Sequence, residues 1–178
     1  MIYFTSDTHF CHSNIIQRNK RPFADLDEMH RVLIRNWNTY VSPHDEIYIL
    51  GDFIHKGDGQ EANEILLKLA GRKYLICGNH DKYLNDEAFD PSHFEWVKDC
   101  FVLSYNKRKF VLFHYPILEW QGYFSDAIHL YGHVHSSHKD PSQAKRLSIL
   151  GKRAFNVGVD VNNFFPVSIE DILKKIEC

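Results

Sequence analysis

Residues 46–52 read Glu-Ile-Tyr-Ile-Leu-Gly-Asp, an apolar run that ends at a glycine and a carboxylate. The run is too short for a helix, so its first five residues predict a buried strand. Ile2–Ser6 before it and Lys73–Cys77 after it predict two further strands. Two amphipathic helices, Phe23–Val41 and Gln60–Ala70, are expected between these three strands. This β-α-β-α-β order is typical of parallel strands joined by crossover helices.

The second half of the chain predicts a mostly β structure followed by one helix. The expected strands are Phe101–Tyr105, Phe110–His114, Ile128–Tyr131, Arg146–Ile149 and Ala154–Val159. The first two flank a turn at residues 106–109, as in a hairpin, and the last two are expected to pair around Gly151. Ser168 is expected to cap a final helix that runs to Glu177. Together the two halves predict an α/β fold in which two mixed β-sheets pack face to face with helices on the outside.

Length and composition agree with one globular domain. The chain has 178 residues, 44% of them apolar, and no linker or internal repeat, so we expect a single domain over residues 1–178. A formal net charge of -2 gives no polybasic surface, so we do not expect long nucleic acid as a partner. No apolar run approaches the roughly 20 residues of a membrane span, and the first residues lack the pattern of a signal peptide. The four cysteines contain no CxxC pair, and a reducing cytoplasm is the expected location.

Polar side chains gather where the predicted strands end. The segments are Asp7-Thr8-His9, Gly51-Asp52, Gly78-Asn79-His80-Asp81, His114 and Gly132-His133-Val134-His135. Open α/β sheets bind ligands at the carboxyl edge of their strands, so we expect these segments to share one site. The glycines before Asp52, Asn79 and His133 predict tight turns or close backbone approach.

The donor atoms at these strand ends are carboxylate and amide oxygens and imidazole nitrogens, without a thiolate. Such donors suit manganese, iron, zinc, nickel or cobalt rather than a soft metal. Seven candidate ligands exceed the needs of one ion, whereas two ions that share one carboxylate would use all of them. A single residue of this kind is more often a cap or a core histidine, but five groups in order favour a metal site.

The order of these groups resembles that of the calcineurin-like metallophosphoesterase superfamily. That family carries DxH, GD, GNH[DE], a lone His and GHxH in this order, and the resemblance covers residues 7 to 135. The stretch 7–16, followed by Arg21-Pro22-Phe23, resembles its small, compact bacterial and phage branch. The resemblance implies a four-layer sandwich of two β-sheets with outer helices. It also implies two divalent metal ions per chain, with manganese as the leading candidate.

The same resemblance implies a role for each residue of the site. One ion would be held by Asp7, His9, Asp52 and His135, and the second by the shared Asp52 with Asn79, His114 and His133. His80 would be the catalytic proton donor or transition-state stabiliser, with its ring oriented by Asp81. In one departure from many members, Phe53 and Ile54 follow Gly51-Asp52 in place of an acidic residue and Arg-Gly. An Arg contact common in phosphoprotein phosphatases is thus absent, which argues against a phosphoprotein substrate.

The activity implied by the resemblance is hydrolysis of a small phosphate ester by a hydroxide that bridges two metals. A nucleotide-type or cyclic phosphodiester is the leading substrate, and a phosphomonoester is the alternative, because both reactions use the same seven ligands. A nuclease would need a basic track along the nucleic acid. A non-catalytic scaffold of the same fold would be expected to lack His80 or several ligands. The sequence leaves the oligomeric state open.

Five further residues are candidates for substrate contact: His12, Asn14, Arg21, His55 and Trp120. The first two follow the first ligand pair closely and could reach the phosphate, or could instead form hydrogen bonds within their loop. Arg21 ends a small basic cluster that could meet a second phosphate, although such clusters are often solvated surface. His55 is placed like a residue at the rim of the site. Trp120 could stack on a nucleobase or, equally, pack in the core.

Overall fold

Two β-sheets lie at the centre of the computed structural model, which describes residues 1–135 and 141–177. The strands of these residues are Ile2–Thr5 (β1), Glu46–Leu50 (β2), Arg72–Ile76 (β3), Trp96–Lys98 (β4), Cys100–Tyr105 (β5), Arg108–Phe113 (β6), Ile128–Tyr131 (β7), Ala154–Asn156 (β8) and Val167–Ser168 (β9). The α-helices are Ser13–Arg18 (α1), Leu26–Tyr40 (α2), Gly59–Leu66 (α3), Pro141–Ser148 (α4) and Ile169–Glu177 (α5). Short 3-10 helices occupy Lys82–Asn85, Pro91–His93 and Val159–Val161.

Both sheets are mixed, which confirms the α/β fold predicted from the sequence. In the first sheet the strand order is β4-β3-β2-β1-β9, with β1 to β4 parallel and β9 antiparallel to β1. In the second sheet the order is β5-β6-β7-β8, with an antiparallel β5–β6 hairpin and parallel pairing from β6 to β8. The hairpin turn is tighter than expected, because Asn106 and Lys107 have positive φ angles of 48° and 65°.

Alternate side chains of the first sheet face two different apolar cores. Ile47 and Ile49 of β2 are fully buried in a core that includes the apolar faces of α2 and α3. Tyr48 and Leu50 belong to a second core, which they share with Phe110 of the second sheet. This period-two alternation places helices on the outer face of the first sheet and the second sheet on its inner face.

The helix α2 follows the predicted amphipathic pattern. Met29, Leu33 and Trp37 are spaced four residues apart and are buried on one face. The helix begins three residues later than predicted, after an N-cap in which the carboxylate of Asp25 accepts a hydrogen bond from the backbone N–H of Glu28. The cap and the apolar face together explain why this segment is helical and where it packs.

The predicted strand Arg146–Ile149 is wrong, because most of that segment belongs to the helix α4. Leu147 of α4 packs in a small cluster with Leu150 and Tyr131, and three-residue spacing puts Leu147 and Leu150 on the same side of a helix. The strand with which this segment was expected to pair is β8, which lies at the edge of its sheet and pairs with β7 in parallel register. Short apolar runs of this kind do not distinguish a helix from a strand, so the packing of Leu147 against Tyr131 decides.

The carboxyl ends of the central strands converge at one edge of the two sheets. The backbone N–H of Asp7 donates to the carbonyl of Gly51 at 3.0 Å, which joins the ends of β1 and β2. The N–H of Gly132 donates to the carbonyl of His114 at 2.9 Å, which joins the ends of β6 and β7. The N–H of His133 reaches the Asp7 carboxylate at 2.9 Å and links the two sheets. The polar strand ends therefore lie side by side, as their positions in the sequence predict.

Within residues 1–135 and 141–177, no helix is long and apolar enough to cross a membrane. The cysteines of these ranges, Cys11, Cys77 and Cys100, are free thiols. Cys178 lies outside the described residues.

Candidate metal centre

Asp7, His9 and His135 place one ligand atom each within 4.8 Å of the others. Asp7 and His9 follow β1 and are nearly fully buried, whereas His135 follows β7 and is partly exposed. The Nε2 atoms of His9 and His135 are 3.2 Å apart, and Nε2 of His135 lies 3.8 Å from Oδ1 of Asp7. The fold therefore brings together three of the predicted ligands of one ion. They form the first ligand group.

Asp52, His114 and His133 form the second ligand group, again with their ligand atoms within 4.8 Å of one another. Oδ2 of Asp52 lies 3.6 Å from Nε2 of His114 and 3.5 Å from Nε2 of His9. This carboxylate therefore lies between the two groups, where a shared ligand has to be. The predicted ligand Asn79 joins the second group, with Oδ1 at 3.2 Å from Nε2 of His114.

The spacing and chemistry of these atoms suit bound divalent cations. Two nitrogen ligands at 2.0–2.1 Å from a tetrahedral ion lie about 3.4 Å apart, close to the 3.2 Å between Nε2 of His9 and Nε2 of His135. Imidazole lone pairs at this distance repel each other unless a proton or a cation lies between them. The two groups supply only oxygen and nitrogen donors, as manganese, iron and zinc sites do. The residues present therefore fit the metal pair that the sequence predicts.

Two hydrogen bonds set the orientation of the His114 and His135 rings. Nδ1 of His114 lies 2.7 Å from the carbonyl oxygen of Leu50, which can only accept, so this nitrogen carries the proton. Nδ1 of His135 lies 2.8 Å from Oδ2 of Asp160 and donates to that carboxylate in the same way. Both rings consequently turn Nε2, the usual metal-binding nitrogen in such pairs, toward the ligand groups.

Four candidate ligands have a left-handed backbone, which residues other than glycine rarely adopt. The φ angles are 57° at Asp7, 51° at His9, 53° at Asp52 and 65° at His133. Backbone strain of this kind persists only where the surrounding structure holds it, and it concentrates at functional sites. The strain therefore supports a function for this set of residues beyond packing.

Two of the predicted glycines allow the strand ends to approach each other. A Cβ on Gly78 would lie 2.3 Å from the backbone nitrogen of Asp52. A Cβ on Gly132 would lie 1.8 Å from Oγ of Ser6 and 2.5 Å from Oδ2 of Asp7. No side chain fits at either position without displacing a candidate ligand, which confirms the predicted close approach.

Burial shifts the pKa of several groups in the two ligand groups. It raises the pKa of the Asp7 carboxyl, despite the opposing effect of nearby His135. It also lowers the pKa of the His9 and His133 imidazoles. At His135, burial alone would lower the pKa, but the hydrogen bond to Asp160 and the charge of Asp7 raise it. His9 and His133 thus resist protonation, and a bound cation would supply the countercharge that the buried carboxylates need.

A cleft of about 230 Å³ opens over the two ligand groups. Its walls are formed by His9, His12, Ile15, Arg18, Asp52, His55, Lys56, His80, His133 and His135. The predicted catalytic residue His80 is partly exposed in this cleft, with its ring centroid 5.5 Å from that of His9 and 4.0 Å from that of His55. Its backbone N–H donates to Oδ1 of Asp52 at 2.9 Å, which anchors it beside the shared carboxylate.

The predicted role of Asp81 as the residue that orients the His80 ring is corrected by the structure. The Asp81 carboxylate accepts hydrogen bonds from three backbone N–H groups instead. Their donors are Asp52 at 2.9 Å, Phe53 at 2.8 Å and Gly78 at 2.8 Å. Burial raises the pKa of Asp81 to about 6, although the hydrogen bond from Gly78 opposes the shift. Asp81 therefore holds together the two loops that present Asp52 and Asn79.

Two of the five predicted substrate contacts line the cleft, and the other three, Asn14, Arg21 and Trp120, do not. His12 is buried and His55 partly exposed in its wall, and burial lowers the pKa of both, to about 4 for His12. Asn14 is an exposed residue of α1 outside the cleft wall. Arg21 is 4% exposed and donates to the Asp160 carboxylate, so its guanidinium is not free to meet a phosphate.

Comparison with known proteins agrees with this geometry. The family model described as calcineurin-like phosphoesterase matches residues 1–137, which include both ligand groups and His80. The chain belongs to the calcineurin-like phosphoesterase family. The family inferred from the order of the polar segments is thereby confirmed, and with it the coarse class of activity, phosphoester hydrolysis.

Relatives of this calcineurin-like phosphoesterase span nearly its whole length. An uncharacterized protein of Methanocaldococcus jannaschii is 41% identical over 180 residues, which cover 99% of this chain and 91% of that protein. The gene 66 protein of Mycobacterium phage D29 is 28% identical over 203 residues, covering 99% and 97% of the two chains. The crystal structure of a protein of unknown function from Aquifex aeolicus superposes with a TM-score of 0.75 at 30% identity, covering 98% of each chain. A phage relative is in keeping with the branch that the sequence resembles.

Trp120 does not line the cleft of this phosphoesterase. Its ring is buried against Val111 and Ala127 on the outer face of the second sheet, and its Nε1–H donates to the carbonyl of Ala127 at 3.1 Å. The indole N–H is therefore satisfied within the core, and of the two alternatives that the sequence left open for Trp120 the structure shows packing in the core rather than stacking on a nucleobase.

Two residues of the phosphoesterase site have no assigned role in the sequence analysis. Asp160, in the 3-10 helix Val159–Val161, accepts the hydrogen bond from the ring of His135. Tyr115 donates its hydroxyl to Oδ1 of Asn79 at 3.3 Å, and its ring lies 4.7 Å from that of His133. The position of Tyr115 directly after the lone His114 is a signal that could have pointed to it. Asp160 has no such signal, because its contact spans 25 residues of chain.

Proposed function

We propose that this calcineurin-like phosphoesterase is a binuclear metal-dependent phosphodiesterase that acts on a small nucleotide-type or cyclic phosphodiester. The observation that carries the proposal is the pair of three-residue ligand groups, joined by Oδ2 of Asp52, beneath one small cleft. Two divalent ions bound there would supply an activated water and positive charge for the phosphorus centre. The donor set supports manganese as the first ion to test, with iron, zinc, nickel and cobalt as alternatives.

The residues of this chain support a role for His80 in proton transfer. His80 is a titratable side chain of the cleft wall that the two ligand groups leave free. Its backbone N–H donates to Asp52 and fixes the position of the residue, and its side chain lines the cleft that a substrate would enter. We therefore assign protonation of the leaving oxygen to His80, and presentation of Asp52 to the backbone contacts of Asp81.

The charges of the cleft wall support a diester over a monoester. His12 and His55 of the wall lie beside the candidate ligand His9, and burial lowers the pKa of both, which keeps them neutral near pH 7. Two cations of the wall, Arg18 and Lys56, are exposed. A diester phosphate carries one negative charge and a monoester up to two, so neutral imidazoles beside the ligand groups suit the diester. The exposed cations suit a further anionic group of a nucleotide.

The decisive experiment compares hydrolysis of bis-p-nitrophenyl phosphate with that of p-nitrophenyl phosphate, with added manganese and with a chelator. Asp52→Ala removes the shared ligand and is expected to lose activity and bound metal together. Asp86→Ala is the matched control, because this partly exposed carboxylate accepts from the N–H groups of Gly59 and Ala88, away from the ligand groups. Diester hydrolysis that requires metal and Asp52 but not Asp86 is the expected result.

The other outcomes separate the alternatives. Hydrolysis of the monoester alone would replace the proposal by a phosphomonoesterase with the same centre. Cleavage of plasmid DNA with no small-diester activity would make the protein a nuclease. The absence of both hydrolytic activity and bound metal would identify a non-catalytic scaffold. A cytoplasmic location and a single domain over residues 1–178 stay predictions of the sequence.

A further inference from the structure

A buried ion pair lies directly behind the first ligand group. The side chain of Arg21 is fully buried and that of Asp160 is 8% exposed. The pair is bidentate, with Nε to Oδ1 and Nη2 to Oδ2 both at 2.9 Å. Oδ2 of Asp160 also accepts the hydrogen bond from Nδ1 of His135 at 2.8 Å. The carboxylate thus connects Arg21, 139 residues away in the chain, to a candidate metal ligand.

The same guanidinium holds the loop that carries the other two ligands of that group. Nη2 of Arg21 donates to the backbone carbonyl of Asp7 at 2.7 Å, and Nη1 donates to that of Thr8 at 2.8 Å. These carbonyls belong to the strained loop in which Asp7 and His9 have positive φ angles. One side chain therefore fixes both the backbone of the first loop and, through Asp160, the ring of His135.

We propose that Arg21 and Asp160 are positioning residues for the metal ion of the first ligand group, an inference that rests on the proposed metal centre. Asp160 keeps the proton of His135 on Nδ1 and its Nε2 toward the ion. Arg21 holds Asp160 and the Asp7–His9 loop at the distances that this group requires. Carboxylates that bind the second nitrogen of a ligating histidine act in this way in metal sites generally.

The contacts of the pair are confined to one of the two ligand groups. The second group is oriented by different partners, namely the carbonyl of Leu50 for His114 and the carboxylate of Asp81 for the Asp52 loop. A role in stability alone would not explain this selectivity, because a buried ion pair contributes little to stability after the cost of removing two charges from water. Arg21→Lys would not preserve these contacts, since one ammonium group cannot reach two carboxylate oxygens and two carbonyls in the fixed geometry of the planar guanidinium.

The test measures Mn²⁺ affinity at each group separately, by isothermal titration of metal-free protein. His133→Ala removes a ligand of the second group, so the Mn²⁺ binding that remains reports on the first group. His9→Ala removes a ligand of the first group, so the remaining binding reports on the second group. Adding Asp160→Asn to the His133→Ala protein is expected to weaken Mn²⁺ binding by about 10- to 100-fold. Adding it to the His9→Ala protein is expected to change binding by less than about twofold. Arg21→Lys is expected to behave like Asp160→Asn.

Controls separate positioning from general damage. Arg72→Gln removes an exposed ion pair with Glu46 and is expected to leave Mn²⁺ binding unchanged in both backgrounds. Circular dichroism of each metal-free variant establishes that it is folded. If Asp160→Asn does not fold, Arg21→Lys provides the same test. Unchanged affinity at the first group, or equal weakening at both, would overturn the proposal. A wild-type chain that binds no Mn²⁺ would refute the metal centre itself, which is a distinct result.

Discussion

Replacing Gly132 by Ala is expected to disrupt the first ligand group through one added methyl group. The new Cβ would lie 1.8 Å from Oγ of Ser6 and 2.5 Å from Oδ2 of Asp7, so Oγ would have to move by about 1.6 Å to reach ordinary contact. That oxygen cannot move freely, because it donates to Asp7 at 2.6 Å and lies 2.9 Å from the carbonyl of Leu50. The displacement is therefore transmitted to Asp7.

The size of the effect follows from these distances. Overpacking of this kind costs about 1–3 kcal/mol, which lowers the melting temperature of a chain of this length by roughly 2–12 °C. A metal site tolerates displacements of only about 0.5 Å, so the affinity of the first group for Mn²⁺ should fall by at least about tenfold. The assay combines calorimetric Mn²⁺ titration with thermal unfolding in the presence of a chelator.

Two further variants make this prediction specific. At Gly151 a Cβ would meet nothing within 4 Å, although the φ angle of 71° is strained for alanine, so Gly151→Ala should lose stability but bind two ions. Ser6→Gly combined with Gly132→Ala removes the closest clash and should restore part of the affinity. Wild-type Mn²⁺ affinity in Gly132→Ala, or an equal loss in Gly151→Ala, would refute the reasoning.

Three further predictions concern other parts of the molecule. In the metal-free protein, the Asp81 pKa of about 6 lies above its ordinary value of 3.8, so the folded state binds the extra proton and stability falls as pH rises between these values. Because asparagine does not titrate, the free energy of unfolding of Asp81→Asn should increase relative to that of wild type as the pH rises across that window. A difference between the two proteins that stays constant with pH in chemical denaturation would contradict this. Trp120→Phe should leave kcat/KM for bis-p-nitrophenyl phosphate unchanged but lower stability by about 1 kcal/mol for the lost hydrogen bond, whereas a large loss of activity would return the indole to the site. His55→Ala should raise KM for the same diester several-fold with the metal content unchanged, since His55 lines the cleft outside both ligand groups; a KM equal to that of wild type would remove it from the substrate wall.

The ligand positions were predictable from the sequence because they depend on a local rule. Each of Asp7, Asp52, Asn79 and His114 follows a short apolar run, and parallel strands end at a common edge, so adjacency could be inferred without coordinates. Glycine at position 132 could likewise be assigned a close approach, because few other roles explain a glycine immediately before a polar pair.

The misassigned segments have a common physical cause. Arg146–Ile149 and Trp120 are short apolar or aromatic stretches whose local pattern suits more than one environment. The packing of Leu147 against Tyr131 and Leu150 made the first segment helical, and the hydrogen bond of the Trp120 indole N–H within the core kept this ring out of the cleft. In both cases the deciding contact lies with a segment that the local pattern does not specify.

The sequence by itself determined the three parallel strands β1 to β3, the family and the set of residues at the strand ends, since all three depend on short-range patterns of apolar and polar side chains. Only the tertiary structure decided that Arg21 is a buried partner of Asp160 rather than a phosphate contact, and that Asp81 binds backbone amides rather than His80. A charged side chain takes the partner that the fold brings within about 3 Å. When that partner is 139 residues away, as for Arg21, the choice depends on how the two sheets pack.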